Sequence, residues 1–287
     1  MDTAFYTETD ITIHGEAAAA ELAAQVVSAP ACAGPWSVEL QHGGPPTALL
    51  VRAAERLAAA AAGRTDLAAM RVATDFLAPV PVAELAVSAR VLRLARSAVL
   101  ISAELAGTDS AGALSRPFLQ ARVWLLAEGE RPAEADGPGR GVGLDGDSRP
   151  AVLPDGLAPF EIFSFPYVNH LQWRVVSGSA HQPGPAAVWV RPRIPLVAGE
   201  ELSSLQRLAL IADSASGVSA ELDWDEWSFA NVDLDVHLLR PVRGEWLLLD
   251  ARSRLGTGVG MASSTLWDTD GVVGGGLQTL LLRRHRR

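Results

Sequence analysis

The chain carries one pattern twice. Thr74-Asp75-Phe76-Leu77-Ala78-Pro79 can be laid on Val236-His237-Leu238-Leu239-Arg240-Pro241, and eleven residues beyond each proline stands an arginine, Arg90 and Arg252. The same kinds of element recur around these words in the same order, offset by about 160 residues. In the first half a helix is expected over 45–62: two glycines precede it, prolines occupy its first turn, and Gly63 ends it. Strands are expected at 70–78, 82–94, 98–106 and 118–126. In the second half a helix is expected over 199–217, with Glu200 and Glu201 in its first turn where the dipole favours anions. Strands follow at about 230–239, 246–255, 260–267 and 272–282, with two more leading in at 170–176 and 187–190. Each half closes on an Asp-containing hairpin turn, at Asp109 and at Asp268/Asp270.

One long helix followed by long alternating strands makes an α+β unit whose sheet curls around the helix. Pairing two such units into one continuous sheet covers strand edges that a single unit leaves open. Gly, Pro, Asp and Glu dominate residues 127–158, which read as a linker between an N-terminal unit (1–126) and a C-terminal unit (159–287). With 287 residues, 48% of them hydrophobic and 20% charged, the chain can fill one large core or two ordinary ones.

Net charge is −9 and every basic side chain is arginine, so nucleic acid is not an expected partner. The one basic run, residues 283–287, reads as a frayed, solvated tail. Cys32 is the single cysteine, which leaves neither an internal disulfide nor a cysteine-built zinc site. His170, His181 and His237 are isolated, and no metal or other cofactor is expected. The first residues lack the basic start and apolar run of a signal peptide, and no window approaches the roughly 18 apolar residues of a membrane helix. A cytoplasmic protein without membrane insertion is the expectation.

His42-Gly43-Gly44 before the first helix, the strand 72–79, and Trp267-Asp268-Thr269-Asp270-Gly271-Val272 followed by Gln278 resemble the acyl-CoA thioesterases of hotdog fold. The whole domain order resembles the TesB-like (type II) double-hotdog thioesterases over about 35–126 and 160–284. The resemblance implies two fused hotdog units, an acyl-CoA substrate, further homo-oligomerisation, and a water held by a carboxylate, a hydroxyl residue and a glutamine. These positions fall on Asp213, Asn231 and Gln278, with asparagine standing where the family has a hydroxyl.

The chemistry agrees with that assignment. A thioester is activated enough for a water beside a carboxylate to attack it directly, and Asp213 is the one member of the three able to take a proton. Backbone N–H groups at Gly43-Gly44, or near Gly199, would suit the oxyanion. His42, Gly43 and Gly44 are assigned to the substrate loop, and Trp224 and Trp227 to the wall of an acyl pocket. Arg93, Arg96 and Arg254 are candidates for the CoA phosphates. Two other functions share this frame. One is a non-catalytic acyl-CoA or acyl-carrier binder. The other is a hotdog enoyl-CoA hydratase, whose pattern has a histidine five residues after the aspartate, where this chain has Val218. The first helix offers Glu55 at roughly the offset of Asp213, in a context unlike the family's site, which points to one working half and one supporting half.

Overall fold

The computed structural model describes residues 3–108, 114–129 and 154–285. The first half contains β1 (Tyr6–His14), β2 (Glu21–Ser28), helix α1 (Gly44–Ala62), β3 (Leu67–Phe76), β4 (Glu84–Ala95), β5 (Ala98–Ala106) and β6 (Leu119–Ala127). The second contains the short helix α2 (Pro166–Asn169), β7 (Leu171–Ser177), β8 (Ala186–Pro192), α3 (Ser204–Ala212) and α4 (Ala215–Val218). It ends with β9 (Trp227–Asn231), β10 (Asp233–Leu238), β11 (Leu247–Leu255), β12 (Val259–Asp268) and β13 (Gly271–Arg284).

Twelve strands form one antiparallel sheet in the order β1-β2-β4-β5-β6-β3-β10-β13-β12-β11-β8-β7, and β9 extends β10 along β13. The order reads the same from both ends: six strands of one half meet six of the other at the β3–β10 seam. The seam pairs Ala73 with Asp235 at its centre, flanked symmetrically by Asp75↔Asp233 and Arg71↔His237. The two halves are therefore related by a local two-fold that carries residue 73 to residue 235 and Pro79 to Pro241. This is a double hotdog. Helices α1 and α3 pack against each other inside the curl. Leu49, Leu50, Val51 and Leu57 of α1 are buried, each worth about 1.5–3 kcal/mol of transfer free energy. The helices touch so closely that a side chain on Gly44 would overlap the Leu210 carbonyl oxygen.

Three expectations change. Strands β1 and β2 are not foreseen, because β1 buries only Tyr6 and β2 alternates through small residues such as Ala24. The second helix does not run over 199–217. Ser203 caps it by accepting the Gln206 N–H at 3.0 Å, and it breaks after Ala212. Glu200 precedes that cap and accepts from the buried Arg52 at 2.6 and 2.7 Å, an ion pair completed by Glu8 on β1. The basic run is not a tail throughout, since β13 includes Arg283 and Arg284; Arg286 and Arg287 lie outside the described residues. The turn at Asp109 and most of the expected linker also lie outside them.

Candidate active site

The second-half helix departs from the local two-fold, and its break meets an irregularity in the neighbouring strand. Helix α1 runs unbroken for 19 residues, whereas its counterpart stops at Ala212 and resumes as α4. Strand β3 carries a one-residue register shift at Met70, and at the counterpart position, Val232, the strand is interrupted between β9 and β10. Asp213 stands at the helix break and Asn231 at the strand break. Asn231 Nδ2 donates to Asp213 Oδ1 at 2.5 Å.

Gln278 explains how the helix break is tolerated. A broken helix leaves carbonyl and amide groups without their i→i−4 partners, and burying them unpaired is costly. Gln278 is 1% exposed. Its Nε2 donates to the Asp213 carbonyl at 3.1 Å and lies 3.4 Å from Asp213 Oδ1, and its Oε1 accepts the Ser216 N–H at 3.3 Å. One side-chain amide thus satisfies groups on both sides of the break. Ser214, Ser216 and Gly217 in this stretch are weak helix formers, which lowers the cost of interrupting it.

The first half has no such arrangement. Ala69 pairs with Leu125 as Asn231 pairs with Leu280, so Ala69 is the counterpart of Asn231 and Val123 that of Gln278. Ten residues past the caps Ser203 and Gly43 stand Asp213 and Ala53. Ala53, Ala69 and Val123 are buried in the core. Glu55 lies two positions past Ala53 and is engaged otherwise: Ser203 Oγ donates to it at 2.9 Å and Gln206 Nε2 at 2.8 Å. Burial pushes the Glu55 carboxyl up, against the pull of Gln206 and Ser203.

Asp213 is 3% exposed. Its second oxygen, Oδ2, lies 3.1 Å from His42 Nδ1, and a side chain on Gly43 would collide with it. The close passage of the chain before α1 therefore needs glycine at 43. The His42 ring stacks on Tyr167 with centroids 3.8 Å apart and planes 7° off parallel. The Tyr167 hydroxyl donates to the Leu210 carbonyl at 2.7 Å and meets Ser214 Oγ at 3.0 Å. Burial lowers the His42 pKa from its ordinary 6.5, a shift that Asp213 opposes. The Gly44 N–H points at His42 Nδ1 at 3.1 Å.

Asp213, Asn231, His42 and Gly43 line a cavity of about 670 Å³. Its walls are largely aromatic. Trp36 stacks on Trp224 with centroids 5.3 Å apart, Phe229 meets Trp224 edge-on at 4.6 Å, and Phe163 lies against Trp224 at 5.5 Å. Phe165 and Phe76 stand nearer Asp213. Trp227 is not among the lining residues and lies under Arg284 at 5.9 Å. Arg93, Arg96 and Arg254 are not lining residues either, whereas Arg283 and His285 are. The sequence reading passed over Trp36, Phe163, Phe165 and Tyr167. The alternation of aromatics in Phe163-Ser164-Phe165-Pro166-Tyr167 was the available signal. Among the described residues no group of three or more His, Cys, Asp or Glu is placed to hold a metal ion, and no helix is long and apolar enough to cross a membrane.

Known proteins share this architecture. A putative thioesterase from Novosphingobium aromaticivorans DSM 12444 superposes with a TM-score of 0.66 at 19% identity, covering 97% of this chain and 98% of that one. A hot dog fold protein of unknown function from Alicyclobacillus acidocaldarius gives 0.69 at 16% identity, covering 97% of each chain. The acyl-CoA thioesterase II TesB2 from Mycobacterium marinum gives 0.58 at 17% identity, covering 89% of this chain and 96% of that one. No curated protein sequence matches the chain. Family models for the acyl-CoA thioesterase N-terminal domain and C-terminal domain match residues 32–126 and 145–282. By this pair of matches, in order and across both halves, the chain belongs to the acyl-CoA thioesterase family.

Proposed function

We propose that the protein hydrolyses an acyl-CoA thioester to the free acid and CoA, by direct attack of a water held at Asp213 and Asn231. The observation that carries this reading is a buried carboxylate on the floor of an aromatic-walled cavity beside the start of helix α1. The walls suit an apolar acyl group, and Asp213 supplies the negative charge that draws a proton from water. Asn231 uses one N–H on Asp213 and is partly exposed in the cavity, so its other N–H is placed to hold the water. Gln278 acts differently from a water ligand. Its Nε2 contacts both the Asp213 carbonyl and Oδ1, and it holds the carboxylate in place. The Gly43 N–H, on the cavity wall, is the donor for the oxyanion, and Arg283 at the mouth is the cation for a CoA phosphate.

The test is a panel of short, long, branched and aromatic acyl-CoAs assayed with a free-thiol reagent. Thiol release that Asp213→Asn abolishes is expected. Saturable binding without thiol release across the panel would establish the non-catalytic binder instead. A 2-enoyl-CoA in the panel covers the hydratase reading, which requires loss of the enoyl absorbance without release of thiol.

A further inference from the structure

The contact between His42 and Asp213 contains a contradiction that only a proton resolves. His42 Nδ1 lies 3.1 Å from Asp213 Oδ2 and 3.1 Å from the Gly44 N–H. A neutral imidazole has one N–H and one bare nitrogen. If Nδ1 is bare, it accepts from Gly44 but turns its lone pair on the carboxylate, with no donor between two acceptors. If Nδ1 carries the hydrogen, it donates to Asp213 and gives up the Gly44 amide. A hydrogen bond to an ionised acceptor is about twice as strong as one between neutral groups, so the second arrangement prevails while Asp213 is charged. The stack on Tyr167 at 3.8 Å, with Phe165 on the same stack, holds the plane of the ring. With Nδ1–H on Asp213, Nε2 is bare. His42 is a wall of the cavity, and Nε2 has no protein hydrogen-bond partner among the described residues.

From this geometry we infer that His42 is a further catalytic residue, the base that takes the water proton on Nε2, with Asp213 as the group that fixes its tautomer and balances its charge. The inference rests on the thioester-hydrolase reading and adds to it a residue from the other half of the chain. As the water oxygen bonds to the thioester carbon, its proton passes to Nε2 and the carbonyl electron pair becomes the oxyanion. Collapse of the oxyanion breaks the C–S bond, and the departing sulfur takes the proton back from Nε2–H. Water and thioester are consumed, acid and thiol are formed, and the imidazole ends as it began. Asp213 is poorly placed to do this alone. It is almost wholly buried, with Oδ1 engaged by Asn231 and Gln278 and Oδ2 facing His42.

The ionisable groups facing the ring are Asp213 from the end of α3 and Tyr167 from α2; the Gly44 amide of α1 is its third polar neighbour. Burial holds the Tyr167 phenol protonated through the working range. The rate is expected to fall when pH drops far enough to protonate His42, because Nε2 must be free to accept.

The experiment compares wild type, Asp213→Asn, His42→Asn and His42→Ala by thiol release across pH, with folding checked by circular dichroism. His42→Asn keeps a donor toward Asp213 and removes the base. Its kcat is expected to fall by about 10²–10⁴-fold, with the acid limb lost. Added imidazole is expected to restore part of the His42→Ala rate. A second measurement uses wild-type protein alone: ¹⁵N shifts of labelled histidine, with His42 identified by its disappearance in His42→Asn, should report Nδ1–H and bare Nε2. An active wild type whose Asp213→Asn form is dead but whose His42→Asn form keeps its rate would overturn the role of His42 and leave the hydrolase reading standing. So would a slow His42→Asn form with the wild-type acid limb and no rescue by imidazole, or an Nε2–H tautomer. A wild type that releases no thiol removes both readings together.

Discussion

Asn231 Nδ2 and Asp213 Oδ1 are 2.5 Å apart, and each residue stands at an interruption of its own element. The helix break at Asp213 has no counterpart in the unbroken α1, whereas the strand interruption beside Asn231 recurs as the register shift at Met70 in β3. A hydrogen bond to a charged group is worth about 1.5–3 kcal/mol. Asn231→Ala should therefore lower kcat/KM by one to two orders of magnitude. Asn231→Thr restores a hydroxyl at this position and should keep most of the activity. A threonine variant as slow as the alanine one in the thiol-release assay would show that the second arm of the amide is required.

Gln278 bridges the helix break, so its removal should be felt first as instability. Gln278→Leu leaves the Asp213 carbonyl and the Ser216 N–H without partners in a buried site, at about 1–3 kcal/mol for each group. Gln278→Glu keeps an acceptor for Ser216 but sets a second carboxylate against Asp213, and should be the less active of the two. Urea denaturation and thiol release on both variants measure this. A Gln278→Leu protein as stable as wild type would refute the bridging role.

Away from the site, Asp268 is fully buried at the turn between β12 and β13, where Arg240 grips both its oxygens at 2.5 and 2.6 Å. Burial raises its pKa, but Arg240 and the N–H groups of Arg243 and Asp270 outweigh that and hold it below its ordinary 3.8. A carboxylate depressed in this way contributes stability above its unfolded pKa and loses it as pH falls through the folded one. Arg240→Ala should cost about 3–5 kcal/mol at neutral pH by leaving the charge unpaired. The difference from wild type should shrink in strong acid. A constant difference across pH would show that the loss is one of packing alone.

Glu55 has the opposite sign. Its folded pKa lies above the ordinary 4.5, so the stability linked to its protonated form is full below that value and is lost as pH rises through the folded pKa. Glu55→Gln keeps an acceptor for Ser203 and Gln206 without a charge to bury. Relative to wild type it should gain stability in mild alkali and gain little or nothing at about pH 4. Denaturation midpoints at the two pH values decide it, and an equal shift at both would remove ionisation as the cause.

The repeated word ending in Pro79 and Pro241 marks the local two-fold, and the seam pairing of Ala73 with Asp235 places the axis where that repeat requires. That much was legible because a strand's alternation and a helix's caps are local properties of the chain. Strands β1 and β2 were not legible, since one buries a single side chain and the other is rich in alanine, which has no strand signature. The helix break was masked by the apolar run 208–212, which continues smoothly into Asp213 and gives no sign that an amide on β13 will replace the missing backbone partners.

By itself, the sequence pointed to two helix-and-sheet units in one chain, because periodicity and capping act over a few residues and can be read locally. Asp213, Asn231 and Gln278 were singled out by the resemblance to double-hotdog thioesterases. Only the tertiary structure decided that the Gln278 amide closes the helix break, that Trp224 lines the cavity while Trp227 does not, and that His42 of the first half touches Asp213 of the second. Those contacts depend on helices α1 and α3 packing as closely as Gly43 and Gly44 allow, and a distance between two halves has no period in the sequence from which to read it.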